Sequence, residues 1–309
     1  MTLFRRFALL STIGTYIVIF AGGLVRVSGA GLGCPDWPKC FGGWIPPLSA
    51  ADLPASINPA TFNFTLAWIE YLNRLSGMIL GLFIAATAVL AIVHYRRTLR
   101  ILFPSIGAAL LVAFQGWQGG QVVLSELHSL TVSIHLVIAL MIVSLLIYVA
   151  QQAYYLEETS SITEVAYPKS VPISIGLLWL ITVIQIVIGA NVRADIEALI
   201  VTSPLATDHE LMALVGGIKY VHVFLGVIVA AMAFTIGIMV YRTSPQPDSI
   251  VKLSVWTMIL LVAVQMSLGT GLIAVALPPL LQLFHVWVAS LFIGVLLVLY
   301  TATKRLGNR

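Results

Sequence analysis

The chain has 309 residues, 60% of them hydrophobic and only 9% charged, with a formal net charge of +4 and a mean hydropathy of +1.02. A soluble domain of this size could not cover its surface with so few charges, so the composition excludes a soluble globular protein and selects a polytopic membrane protein. No long basic patch is present, and nucleic acid is excluded as a partner.

Crossing about 30 Å of hydrocarbon takes about 20 apolar residues, and the chain offers eight such segments. A short basic start with Arg5 and Arg6 leads into span 1, at about 7–25. Seven further spans and the lack of a convincing cleavage context argue against a removed signal. The stretch GGLVRVSGAGLGCPDWPKCFGGW then opens a polar, glycine-rich loop that also carries Pro46, Pro47, Pro54 and Pro59. Spans 2, 3 and 4 follow at about 68–93, 101–124 and 130–150. A polar connector precedes span 5 at 171–190, and a second polar loop holds Arg193, Asp195, Glu197, Asp208, His209 and Glu210. Spans 6, 7 and 8 lie at about 218–241, 251–274 and 279–300.

With both termini in the cytoplasm, one face receives Arg5, Arg6, Arg96, Arg97, Arg100, Lys169, Arg242, Lys252, Lys304, Arg305 and Arg309. The other receives Arg26, Lys39, Arg74, Arg193 and Lys219. Eleven against five is the positive-inside pattern and predicts this orientation in a plasma membrane.

The chain also repeats itself. IEYLNRLSG at 69–77 resembles KYVHVFLG at 219–226, which sets Tyr71 on Tyr220, Asn73 on His222 and Gly77 on Gly226. Gln115 matches Gln265, Gly119 matches Gly269, and His135 matches His285 at a separation of 150. Four spans per half return each copy to the same side. The expected fold is therefore all-α, with eight transmembrane helices in two parallel-repeat four-helix bundles about an axis along the membrane normal. The bundles are expected at 1–150, with an outer loop at about 26–67, and at 171–309, joined by a cytoplasmic connector at 151–170. Gly77-x-x-x-Gly81 is expected to let helices approach closely.

His135, His222 and His285 each fall inside an apolar helix near its outer end, where an imidazole is costly unless it faces a partner. His94 and His209 read as solvated residues. No cysteine- or carboxylate-rich cluster lies beside the three buried histidines, which argues against zinc or di-iron. Two helices that each donate one histidine suit bis-histidine ligation of a heme iron, and His222 with His285 is the expected pair. The first half would use position 73 and His135. Asparagine is a poor ligand, so that iron would be held through His135 alone, or by no protein nitrogen on the Asn73 side.

Over essentially its whole length the chain resembles the heme A synthase family, the membrane enzymes that convert heme O to heme A for cytochrome oxidase. The residues that carry the resemblance are the GGLVRVSGAGLGCPDWPKC loop, Glu70-Tyr-Leu-Asn73-Arg74 in place of Glu-x-x-His-Arg, and the later histidines at 135, 222 and 285. The resemblance implies oxidation of the C8 methyl of heme O to a formyl group through hydroxylated intermediates. It assigns heme b to His222 and His285 in the C-terminal half. It places the substrate heme in the N-terminal half, with Glu70 beside the reacting edge. The chain departs from the family pattern at Asn73, where a histidine is expected.

Cys34 and Cys40, the only cysteines, flank two prolines in CPDWPKC on the side expected to be oxidising, and a disulfide there is expected. The resemblance agrees, with free thiols as the alternative. Glu70 reads either as an acid in the opening turn of span 2, favoured by the helix dipole, or as a proton acceptor one turn from Asn73. Oxidising a methyl needs an electron acceptor that side chains cannot supply, so a redox cofactor is required. Arg26, Arg74 and Arg193 are candidate partners of heme propionates, against ordinary snorkelling.

The leading expectation is thus a heme O oxidoreductase in a bacterial plasma membrane, working with heme O, its synthase and a membrane electron acceptor, and able to form homo-oligomers. A diheme b-type cytochrome, a non-catalytic heme-handling protein and a transporter are the alternatives. The scarcity of mid-membrane carboxylates counts against the transporter.

Overall fold

The computed structural model describes residues 1–157, 166–275 and 277–307. Residues 158–165 of the expected connector, and Arg309 among the counted cations, lie outside the described residues. Nine α-helices occupy the described residues: α1 (Leu3–Val27), α2 (Phe64–His94), α3 (Leu99–Leu124), α4 (Ser129–Glu157), α5 (Ser170–Thr202), α6 (Asp208–Leu214), α7 (Ile218–Thr243), α8 (Ser249–Ala274) and α9 (Pro279–Gly307). Among these residues there is no strand, only an isolated bridge between Cys40 and Gly43. All the helices but α6 contain a stretch long and apolar enough to cross a bilayer. The chain is an all-helical, multi-pass membrane protein.

Side chains in the loops set several of the boundaries. Thr2 caps α1 by accepting from Arg5 N–H, and Asn63 caps α2 by accepting from Leu66 N–H. Asp248 accepts from Ile250 and Val251 at the start of α8. Each satisfies backbone donors that the helix leaves open. The Asn63 cap moves the start of α2 ahead of the predicted 68, so Glu70 stands in the second turn and not the opening one. Thr207 and Glu210 form a capping box on α6, and the Thr207 N–H and hydroxyl hold the Glu210 carboxyl below its usual range.

α5 departs most from expectation. It continues past the predicted end at 190 through Thr202, so the segment read as loop around Arg193 and Glu197 is helical. No glycine or proline interrupts residues 190–202. Arg193 pairs with Glu197 at 2.7 Å one turn on, and Asn191 bonds back to the Val187 carbonyl. The helix stops where Ser203 precedes Pro204, a position that disfavours helical backbone.

The chain divides into two compact units, Thr2–Leu146 and Ile147–Arg309, the latter with Met1. In the first, α2 packs against α1 and α3. Leu80 and Ile84 of α2 meet Ala108 of α3 and Ile138, Ile142 and Leu146 of α4, with Val18 of α1 against them. The Ser11 and Thr87 hydroxyls bond at 3.2 Å between α1 and α2. In the second, Ile175 and Leu178 of α5, Ala233 and Ile236 of α7, Met258 of α8 and Leu296 of α9 share one core.

Burial follows the same register in both units. Phe4, Ala8, Ser11 and Thr15 of α1 are buried, as are Val171, Ile175, Leu178 and Thr182 of α5. Leu80, Ile84, Thr87, Ala88 and Ala91 of α2 are buried, as are Val229, Ala233, Ile236, Gly237 and Val240 of α7. Thr15 and Thr182 even make the same bond, each to the carbonyl one turn back at 2.7 Å.

One packing expectation is overturned. A Cβ added at Gly77 or Gly81 would meet nothing within 4 Å, so these glycines do not seat a helix crossing. Gly77, one turn from Asn73, leaves open space at that level of α2. The close approaches lie elsewhere. A Cβ at Gly33 would fall 2.4 Å from the Leu66 carbonyl oxygen, and one at Gly120 would fall 2.8 Å from the Trp37 ring.

Candidate functional site: paired histidines and a pinned loop

In the second unit, His222 of α7 and His285 of α9 lie about one to two turns inside their helices. Their ring centroids are 6.3 Å apart and the rings are inclined by 62°. Glycines let the helices close around them. The His222 ring lies against Gly189 of α5, where a Cβ would sit 2.7 Å from Cε1, and His285 lies against Gly269 of α8 at 3.2 Å. Gln185 Nε2 donates to the His222 carbonyl at 2.7 Å, and Gln265 Nε2 approaches His285 Nε2 at 3.2 Å.

These amides and imidazoles are left incompletely bonded. His222 Nδ1, His285 Nδ1, Gln185 Oε1 and Gln265 Oε1 are all buried without a hydrogen-bond partner. Buried polar atoms are normally paired, and a concentration of unpaired ones on two facing histidines marks a place for a polar or metallic guest. The spacing fits a metal. A first-row metal binds imidazole nitrogen at about 2.0 Å, and that nitrogen lies about 1.1 Å from its ring centre, so opposed ligand rings stand about 6 Å apart. No group of three or more His, Cys, Asp or Glu side chains able to hold a metal occurs among the described residues. A guest that brings its own equatorial donors, as heme does, needs only the two axial nitrogens.

The first unit has one such histidine. His135 of α4 lies against Gly119 of α3 at 3.3 Å, and its Nδ1 bonds Gln118 Oε1 at 2.5 Å. Gln115 Nε2 donates to the His135 carbonyl at 2.9 Å, the same kind of bond that Gln185 makes to the His222 carbonyl. An imidazole whose Nδ1 is held in this way keeps Nε2 as a ligand. Asn73 of α2 contributes a buried Oδ1 without a partner, as Gln115 contributes its Oε1.

Glu70 and Arg74 are turned to a different task. Glu70 Oε2 accepts from Cys34 N–H at 2.8 Å, and Oε1 pairs with the Arg74 guanidinium, which binds through both Nε and Nη2. Arg74 also donates to the Asp36 and Lys39 carbonyls at 2.9 Å and to the Cys34 carbonyl at 3.3 Å. Cys34 and Cys40 form the expected disulfide. The Asp36 carboxylate accepts from Phe41 and Gly42 N–H, tightening the same turn. Glu70, only 3% exposed, is therefore the floor of a clamp that fixes the disulfide loop to α2, and the Arg74 fork is used up on the loop's backbone.

At the corresponding end of the second unit, Arg193 donates to Glu197 and, at 2.5 Å, to Gln282 Oε1 of α9. Lys219 covers the last carbonyls of α6, bonding Met212 O at 2.5 Å. Arg26 lies in the last turn of α1, half-buried. The exposed His94, His128 and His209 lie outside both histidine sites. Gln118, Gln185 and Gly189 were not singled out in the sequence, although an amide in an apolar helix is itself a signal.

A family model described as cytochrome oxidase assembly protein, COX15-CtaA, matches residues 5–297. The chain belongs to the COX15-CtaA family. Three relatives, each named heme A synthase, illustrate the match. The Geobacillus kaustophilus protein is 34% identical over 117 residues, 38% of this chain and 32% of the relative. The Wolbachia protein from Brugia malayi is 27% identical over 222 residues, 65% of each chain. The Shewanella oneidensis protein is 32% identical over 136 residues, 43% of this chain and 40% of the relative. The chain thus spans about a third of the length of the Geobacillus relative and under two thirds of the others. This COX15-CtaA membership agrees with the resemblance carried by the loop and the histidines.

Proposed function

We propose that this COX15-CtaA protein is a membrane heme A synthase that oxidises the C8 methyl of heme O to a formyl group through hydroxylated intermediates. The observation that carries the reading is the His222–His285 pair, spaced for one iron and surrounded by unpartnered polar atoms. His222 and His285 would hold heme b in the second unit, and that heme would supply a one-electron relay. Arg193, already at that end of the unit, is the cation nearest in role to a propionate partner, and it would exchange Gln282 for the carboxylate.

The substrate heme O belongs to the first unit. His135, oriented by Gln118, would bind its iron, and Asn73, at the position that His222 holds in the repeat, would offer an amide in place of the second imidazole. The disulfide loop, pinned by Glu70 and Arg74, closes that end of the unit and keeps water from the reacting methyl. Glu70 then acts chiefly as a positioning residue, and Arg26, in the last turn of α1, would pair with the substrate's propionates. Removing electrons from a methyl requires an acceptor in the membrane. The charge bias puts the loop on the outer side of a bacterial plasma membrane and both termini inside.

A second reading, a diheme b-type cytochrome that leaves its hemes unaltered, draws support from Asn73 and from the engagement of Glu70 by the loop. Variants separate the parts. His222→Ala or His285→Ala should remove the tightly held heme, and His135→Ala only the heme of the first unit. Unchanged heme content after both second-unit substitutions would overturn the assignment.

A further inference from the structure

The two units can be compared position by position because their buried faces share one register. On α1 and α5, the alignment that stacks Phe4, Ala8, Ser11 and Thr15 on Val171, Ile175, Leu178 and Thr182 also places Gly22 on Gly189. On α2 and α7, the alignment that stacks Leu80, Ile84, Thr87 and Ala91 on Val229, Ala233, Ile236 and Val240 places Asn73 on His222 and Gly77 on Gly226.

In the second unit these positions are filled. The His222 ring covers Gly189, with three ring atoms within 3.5 Å of a Cβ built there, and Gln185 Nε2 lies 3.3 Å from a Cβ at Gly226. In the first unit they are open. Neither Gly22 nor Gly77 has anything within 4 Å of its Cβ position. The Gln185 position is taken by Val18, which has no amide to extend into the gap. Asparagine replaces the imidazole without occupying its volume, and its buried Oδ1 has no partner. The opposite wall is intact, with His135 seated on Gly119 and fixed by Gln118.

We propose that the first unit is a single-histidine heme site whose second axial position is an open slot between Gly22, Gly77 and Asn73, and that this slot binds small neutral iron ligands, from a diatomic gas to an imidazole-sized base. The proposal rests on the heme reading given above. The glycines supply room, and the Asn73 amide supplies a hydrogen bond to whatever sits there. The second unit, with both axial positions taken by protein nitrogen, is closed to the same ligands.

The test uses the purified protein with the hemes it carries, titrated with carbon monoxide in the ferrous state and with imidazole in the ferric state, and followed by absorbance. One of two hemes should respond to each probe. Asn73→His should abolish the response with heme content retained, because a protein nitrogen then fills the slot. Gly22→Leu should weaken imidazole binding by about tenfold or more, about 1.4 kcal/mol, without adding a ligand. The response should disappear in His135→Ala and persist in His285→Ala. Two hemes that both ignore the probes, or a response lost with His285 and kept without His135, would overturn this inference while leaving the heme reading in place. Protein that carries no heme at all would overturn both.

Discussion

Arg74 binds the Glu70 carboxylate and three loop carbonyls through one planar fork, a geometry that a lysine cannot reproduce. Arg74→Ala leaves a carboxylate buried without its cation and should cost about 3 kcal/mol. The outer loop should then be cut faster in limited proteolysis, and Arg74→Lys should rescue little. Glu70→Gln keeps an acceptor for Cys34 N–H and should loosen the loop less than Arg74→Ala. Equal protease resistance in all of these forms would refute the clamp. Spacing along the sequence marked both residues but could not show where they point. Their partners lie more than thirty positions away, and a propionate and a backbone carbonyl look alike to a guanidinium when only the sequence is read.

At the scale of elements, glycines decide how closely ring and helix meet. Gly189→Ala would drive a methyl into the His222 ring and should speed loss of the second-unit heme by about tenfold, about 1.4 kcal/mol. Gly22→Ala, in open space, should leave heme retention unchanged. Gly33→Ala has no such latitude. Its Cβ meets backbone of α2 and not a movable side chain, so the loop should undock and become protease-sensitive even with the disulfide intact. The helices themselves were legible because each transmembrane segment must satisfy its backbone internally, and hydropathy marks where it does so. The end of α5 was not legible. Charged residues at 193 and 197 read as loop, yet they form an ion pair on one helical face, and the terminating signal was Pro204. Gly77 and Gly81 show the opposite failure, since a small-residue pattern does not distinguish a helix crossing from open space along a helix.

At the scale of the whole molecule, the uneven distribution of arginine and lysine predicts cytoplasmic termini and an outer disulfide loop. Protease added to sealed right-side-out vesicles should cleave between about residues 45 and 60 and spare a C-terminal epitope; the reverse pattern would contradict the orientation. The repeat was readable because identical residue types recur at nearly constant spacing, and it singled out His135, His222 and His285. What it could not reveal were Gln118 and Gln185, which bond His135 and His222 and have no counterparts in the other unit. The most direct measurement is extraction and mass analysis of the hemes in the purified protein, beside its reduced-minus-oxidised spectrum. The account predicts heme b together with heme O, a hydroxylated heme or heme A. Protein that carries no heme when heme is in adequate supply would contradict it.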